Sequence, residues 1–118
     1  MKNYLFILLI CLGCASKKEI VVPKFESKIV SNEKLSCRAI FVDADKVWLG
    51  MDKGRYGFYD KKKDTLVVKT IQSVSNTTEF RSIAATKDAI FILAVGNPAK
   101  VIKIDKKSLQ ETIVYQED

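Results

Sequence analysis

Three arginines stand out among many lysines as residues that could recognise an anionic group. The chain has 17 lysines but only three arginines, Arg38, Arg55 and Arg81. A guanidinium binds a carboxylate or phosphate through two parallel hydrogen bonds, which a lysine ammonium cannot do. Arg38 and Arg81 occupy matching places in two similar segments, so they predict a paired site for an acidic protein segment or an anionic glycan. The alternative is that each arginine holds a loop or carboxylate of the neighbouring segment in place.

The residue types that are missing exclude most catalytic chemistry. The chain has no histidine, which removes the usual general base and the commonest metal ligand. It also lacks a cysteine cluster for zinc and a glycine-rich loop between a strand and a helix. Asp43, Asp45 and Asp88 have the spacing of turn residues, which favours a turn role over calcium binding. We therefore expect no catalytic residues, no cofactor and no metal site.

The N-terminus has the features of a lipoprotein signal peptide, with Cys14 as the residue that receives the lipid. A short positive start precedes an apolar stretch from Tyr4 to Gly13. A bilayer span needs about 20 apolar residues, whereas this stretch has the length of a signal-peptide core. The residues around the expected cleavage point, Cys11-Leu12-Gly13-Cys14, resemble a bacterial lipobox. An ordinary signal peptide that contains a cysteine is the alternative.

Lipidation would determine both the location and the cysteine chemistry of the chain. A mature protein that begins at Cys14 would be anchored in the bacterial cell envelope, and we expect the periplasmic side of the outer membrane. Loss of Lys2 lowers the formal net charge of +6 by one, and the dispersed lysines predict a solvated surface and no nucleic-acid binding. Cys37 would be the one thiol besides the anchor, and its apolar surroundings in sequence predict a buried small hydrophobe.

The arginines lie in short β-strands that form an internal repeat. The segment 37–40 aligns with 80–83, and 47–49 aligns with 90–92, both at a spacing of 43 residues. A second match, 59–62 with 104–107, has a spacing of 45 residues. A period of this length built from β-rich segments is typical of one blade of a β-propeller. The repeat therefore predicts that Arg38 and Arg81 begin the innermost strands of two adjacent blades.

The alternation of apolar residues and turn signals predicts an all-β fold without helices. Strands are expected at 37–42, 46–51, 56–59, 65–71, 80–85, 89–95, 99–104 and 109–115. They form two four-stranded antiparallel blades of an incomplete β-propeller. The predicted organisation is a signal peptide (1–13), a lipidated cysteine with tether and lead-in strand (14–34), blade 1 (35–72), a linker (73–78) and blade 2 (79–116).

Two blades cannot close a propeller, so we expect further blades. These would belong to a protein roughly three times as long, or to an oligomer partner. The matched aromatic residues Trp48 and Phe91 are expected in the core between blades. The lysines of two turns, Lys61–Lys63 and Lys106-Lys107, predict solvated loops in preference to a glycan-binding rim.

The repeat segments resemble a known family. Residues 35–40 with 47–50, and residues 79–84 with 95–99, are similar to the first two blades of lipoproteins related to photosystem II assembly-factor propellers. These belong to the wider sialidase-like, BNR-repeat group. The resemblance implies a protein-binding propeller with an arginine-rich face. The Asp of the family's Asp-box turn is present as Asp60 and Asp105, but the glycines and tryptophan are absent, which favours a scaffold over a sialidase.

The sequence thus predicts a membrane-anchored propeller lipoprotein that binds or assembles proteins without catalysis. Two alternatives stay open at this point. The first is part of a sialidase- or glycosidase-like enzyme whose catalytic blades lie elsewhere. The second is a small β-domain that acts as a surface interaction module.

Overall fold

A computed structural model describes residues 19–118 and shows two four-stranded antiparallel sheets. The first sheet has the order β1-β2-β3-β4 and the second the order β5-β6-β7-β8. The strands are β1 (Cys37–Val42), β2 (Lys46–Met51), β3 (Arg55–Asp60), β4 (Thr65–Thr70), β5 (Glu79–Ala85), β6 (Ala89–Val95), β7 (Lys100–Asp105) and β8 (Glu111–Gln116). The described residues contain no helix. The prediction of an all-β chain with two sets of four strands is confirmed.

Aspartate-centred turns join the last two strands of each sheet. The carboxylate of Asp60 accepts hydrogen bonds from the backbone N–H groups of Lys62 and Lys63, both at 3.0 Å. The carboxylate of Asp105 does the same for Lys107 and Ser108, at 2.9 and 2.7 Å. An aspartate that binds the backbone two and three residues further on mimics a turn, which explains why both strands end here.

The repeat seen in the sequence is also a repeat of strand register. In β1 and β2, Ala39 pairs with Gly50, and in β5 and β6 the equivalent pair is Ser82 with Leu93. The spacing of 43 residues therefore holds across the first two strands of each sheet. In the third strand the spacing is 45, because Trp48 pairs with Phe58 while Phe91 pairs with Lys103.

One hydrophobic core lies between the sheets, and β5 is the strand of the second sheet that packs against β1 and β2. Phe80 is fully buried there, and its Cβ lies 3.0 Å from the place where a Cβ on Gly50 would be. The fully buried side chains of the core are Trp48, Tyr56, Met51, Ile71, Phe80, Ile90, Ile92, Ile102 and Ile104.

The two aromatic residues predicted for a core between sheets differ in their surroundings. Trp48 is fully buried in the core shared by the sheets. Phe91 lies on the other face of the second sheet, because it alternates with the buried Ile90 and Ile92, and it is half-buried. That prediction therefore holds for Trp48. For Phe91 it stays a prediction, because no second sheet covers its face within residues 19–118.

Residues 19–36 form no strand, which corrects the predicted lead-in strand. Phe25 and Ile29 are 89% and 84% exposed, and none of the eight described strands pairs with residues 25–30. The weak alternation of residues 25–30 is therefore not enough to form a strand, because an isolated extended segment leaves its hydrogen-bonding groups to water. The predicted signal peptide and the predicted lipidation site, Cys14, lie outside the described residues. Among residues 19–118, no helix is long and apolar enough to cross a membrane.

Cys37 is exposed, which corrects the prediction that it is a buried small hydrophobe. It is the first residue of β1, and its equivalent in the second sheet is the buried Phe80. Its thiol donates a weak hydrogen bond to the carbonyl of Ala39 at 3.3 Å. Partial desolvation raises the pKa of the thiol, so this cysteine is less reactive than an ordinary exposed one.

Candidate functional site

Arg38 and Arg81 each occupy a β-bulge at the start of the first strand of their sheet. The register of β1 with β2 shifts between Cys37 and Ala39, so Arg38 is the extra residue. The register of β5 with β6 shifts in the same way on either side of Arg81. A bulge re-aims a side chain away from the regular alternation of a strand. The two sheets therefore present their arginines through the same local distortion.

The two arginines converge on a single carboxylate, that of Glu79. The Nη2 atom of Arg38 lies 3.7 Å from Oε1 of Glu79, and Nη2 of Arg81 forms a close ion pair with Oε2. Glu79 is the first residue of β5, so the contact with Arg38 joins the two sheets whereas the contact with Arg81 stays within the second. The structure thus brings the two predicted residues together.

The cluster of Arg38, Arg81 and Glu79, here named the arginine pair site, carries an excess of one positive charge. The side chains of Arg38 and Arg81 are 44% and 52% exposed, against 30% for Glu79. Each guanidinium has five N–H donors. The Glu79 carboxylate is shared between two such groups and cannot accept hydrogen bonds from all of these donors. Because both guanidinium groups remain open to water, each ion pair contributes only about 0–1 kcal/mol to stability.

Arg55 lies away from the other two arginines. This agrees with the sequence, in which no arginine occupies the equivalent position of the second sheet. Its Nη2 atom lies 2.6 Å from Oδ1 of Asp52, and both side chains are largely buried. The hydrogen bond from Arg55 holds the pKa of Asp52 below its ordinary value. Arg55 therefore stabilises the turn between β2 and β3 and is separate from the arginine pair site.

Two of the turn lysines bind the backbone instead of forming a free basic rim. Nζ of Lys61 donates to the carbonyl oxygens of Asp43 and Ala44, at 2.8 and 3.0 Å. Nζ of Lys106 donates to the carbonyl of Thr86 at 2.7 Å and to Oδ2 of Asp43 at 2.6 Å. The second contact crosses from one sheet to the other, and it lowers the pKa of Asp43. Lys106 is thus a tie between the sheets.

Glu79 is the site residue that sequence reasoning missed. Its equivalent in the first sheet is Ser36, so the repeat gives no signal at this position. The bulges also have no signature in residue type, because the extra residue interrupts the register without a glycine or proline. The only available signal was that Glu79 lies two residues before Arg81, next to the repeat.

Across residues 19–118, no group of three or more His, Cys, Asp or Glu side chains is placed to hold a metal ion. In comparisons with known proteins, no family model matches this chain, and no match was found among curated proteins. The geometry of the arginine pair site is therefore the basis for a functional proposal.

Proposed function

We propose that this chain is a non-catalytic binding module whose arginine pair site captures a carboxylate-rich segment of a protein partner. The observation that supports this best is the convergence of two half-exposed guanidinium groups, from equivalent bulges, on one carboxylate. Glu79 keeps the two groups close without neutralising both. An incoming carboxylate would therefore meet a pre-formed fork of donors, and bidentate binding by arginine gives both affinity and geometry.

Glu79 acts in this proposal as an internal competitor for the arginines. Its contact with Arg38 is long, at 3.7 Å, whereas its contact with Arg81 is close. A ligand would first replace Glu79 at Arg38, because the weaker contact costs less to break. The same logic predicts that removal of the Glu79 charge strengthens anion binding.

The wider setting of the site is part of the same proposal. The two sheets would be blades of a β-propeller, with β1 and β5 as the innermost strands and the arginine pair site at one mouth of the channel. Lipid attached to Cys14 would hold the module on the bacterial cell envelope, and residues 14–34 would space it from the membrane. Such a module suits the assembly of envelope proteins with acidic segments. An anionic glycan is the other ligand class with the required charge.

The experiment measures binding of a fluorescent oligo-glutamate peptide to the full chain, with oligo-glutamine as the neutral probe. Loss of a charge-assisted hydrogen bond costs about 1.5–3 kcal/mol, so the double variant Arg38→Ala/Arg81→Ala should lose at least about tenfold in affinity. The matched control is Lys87→Ala/Lys107→Ala, which removes the same charge from exposed turns. It should change the affinity less than threefold, which corresponds to about 0.6 kcal/mol.

The variant Glu79→Gln separates binding from a purely structural role. If the arginines bind ligand, this variant should hold oligo-glutamate more tightly while its thermal melt changes little. If the arginines only tie the sheets together, Glu79→Gln and the double arginine variant should lower the melting temperature together and leave peptide binding unaltered. Equal losses of affinity in the arginine and lysine variants would also contradict the proposal, since general charge attraction would then explain the binding.

A further inference from the structure

Each sheet has one face in the shared core and one face that is open and apolar. The open face of the first sheet includes Ile40 and Val42, which are 63% and 65% exposed. The open face of the second sheet includes Leu93 and Val95, which are 39% and 46% exposed, beside the half-buried Phe91. Open apolar patches of this kind mark interaction surfaces in soluble proteins.

The two open faces are the repeat equivalents of the two faces that already pack together. On the open face of the first sheet, Ile40, Val47 and Leu49 correspond to Ile83, Ile90 and Ile92, which face the shared core. On the open face of the second sheet, Phe91 corresponds to Trp48, which packs toward that core from the other side. The open face of the first sheet therefore corresponds to the packed face of the second, and the open face of the second sheet corresponds to the packed face of the first.

The sizes of the side chains at the centre of this contact are complementary. Inside the chain, Gly50 leaves room for Phe80, with only 3.0 Å between the Cβ of Phe80 and the place of a Cβ on Gly50. At the open faces the equivalents are Leu93 for Gly50 and Cys37 for Phe80. A large residue has replaced the small one, and a small residue has replaced the large one. The pair Leu93 and Cys37 can fill the same space in reverse.

The ion pairs across the sheets lose their negative partner at the open faces. The ion pair of Arg38 with Glu79 corresponds to Arg81 opposite Ser36. The ion pair of Lys106 with Asp43 corresponds to Lys61 opposite Thr86. In addition, Lys103 replaces Phe58 on the open face of the second sheet. The contact between open faces should therefore be weaker than the internal one and driven mainly by apolar burial.

We propose that a second copy of this chain docks head to tail, so that its first sheet covers the open face of the second sheet with Cys37 against Leu93. The contact joins two different surfaces, and such interfaces propagate into closed rings or open chains. The proposal does not depend on the binding function of the arginine pair site. It identifies the partner by the match of two surfaces that this chain itself carries.

The first test measures sedimentation of the full chain in a density-matched detergent solution. The wild type should form species larger than a monomer, whereas Leu93→Asp alone and Ile40→Asp alone should be monomers, because each variant loses one of the two faces. A mixture of these two variants should recover a dimer, because the Leu93→Asp copy keeps an intact first sheet and the Ile40→Asp copy an intact second sheet. Lys107→Asp, in an exposed turn away from the proposed contact, is the matched charge control and should assemble as the wild type does.

A disulfide test examines the same contact without relying on assembly size. One pool of chains carries Leu93→Cys with Cys37→Ser, and the other keeps Cys37. Both pools carry Cys11→Ser and Cys14→Ser, so that no other thiol can react. Mild oxidation of the mixture should give a covalent dimer that the first pool alone does not give. With Lys107→Cys replacing Leu93→Cys, the yield should fall at least tenfold. A wild type that is monomeric at all concentrations, a mixture that does not recover the dimer, or equal disulfide yields at both positions would each overturn the proposal.

Discussion

The two sheets pair their first three strands in the same way but build their cores from different side chains. The first sheet contributes three aromatic residues to the core, whereas the second contributes four isoleucines and a single aromatic residue, Phe80. The small residues also differ, because Gly50 and Gly57 of the first sheet correspond to Leu93 and Ile102 of the second. The repeat therefore maintains the backbone pairing of the first three strands, while side-chain volume follows the neighbour that each face meets.

The glycines show what determines this difference. A Cβ on Gly57 would lie 2.2 Å from the carbonyl oxygen of Val67, a backbone atom that cannot move aside easily. In the second sheet the equivalent Ile102 is fully buried. There the pairing of β7 with β8 shifts register between Val101 and Ile102, whereas the pairing of β3 with β4 is regular. Interiors are packed so closely that a change of one methyl group is felt. Equivalent positions in the two sheets are therefore not interchangeable.

The largest effect on the free energy of unfolding is expected at a pair of equivalent positions of which one is buried and the other exposed. Phe80→Ala should lower the free energy of unfolding by about 4 kcal/mol, because it removes a fully buried ring between the sheets. Cys37→Ala, at the matching exposed position, should change it by less than about 0.5 kcal/mol. Urea denaturation of both variants, each combined with Leu93→Asp to keep the chain monomeric, measures the difference. Similar losses at the two positions would show that the sheets are energetically equivalent.

A somewhat smaller loss is expected from adding a methyl group at a glycine of the first sheet. Gly57→Ala should destabilise the chain by about 3 kcal/mol, because the new Cβ overlaps the carbonyl oxygen of Val67. Gly96→Ala is the control, since the nearest atom to its Cβ would be 3.6 Å away. Thermal denaturation should separate the two variants clearly. If Gly57→Ala melts like Gly96→Ala, the strands of the first sheet can separate locally and the close approach is not essential.

The sequence predicts the strands well because alternation and turn chemistry are local. The observed bounds of β1, β2 and β6 match the predicted ones, and β3 extends the prediction by one residue at each end. Strand β8 begins at Glu111, two residues later than predicted, because Leu109 has a φ of 58° and Gln110 still lies in the connection between the strands. The left-handed backbone conformation of Leu109 has no reliable signal in the sequence, because the turn organised by Asp105 imposes it.

Features that depend on contacts between distant residues were not predictable in the same way. The repeat showed that Arg38 and Arg81 are equivalent, but their common partner Glu79 lies at a position where the two sheets differ. The exposure of Cys37 was missed because an apolar strand pattern does not say whether a neighbouring sheet covers it. The predicted lead-in strand failed for the same physical reason, since a strand requires a partner for its backbone.

The smallest effect concerns Tyr56, which has no ionisable counterpart because its equivalent in the second sheet is Val101. Burial, with a further contribution from the charge of Glu111, raises the pKa of Tyr56 to about 12. In the unfolded chain a tyrosine ionises near pH 10, so the unfolded state loses its proton first as the pH rises. The stability that the Tyr56 phenol contributes is complete below about pH 10 and is lost between about pH 10 and 12, at about 1.4 kcal/mol for each pKa unit.

Tyr56→Phe should therefore reduce the fall in melting temperature over this range, while Tyr59→Phe, at an exposed phenol paired with Asp64, should reduce it less. If the two variants respond alike to alkali, the buried phenol of the first sheet does not control alkaline unfolding, and the sheets do not differ in this respect.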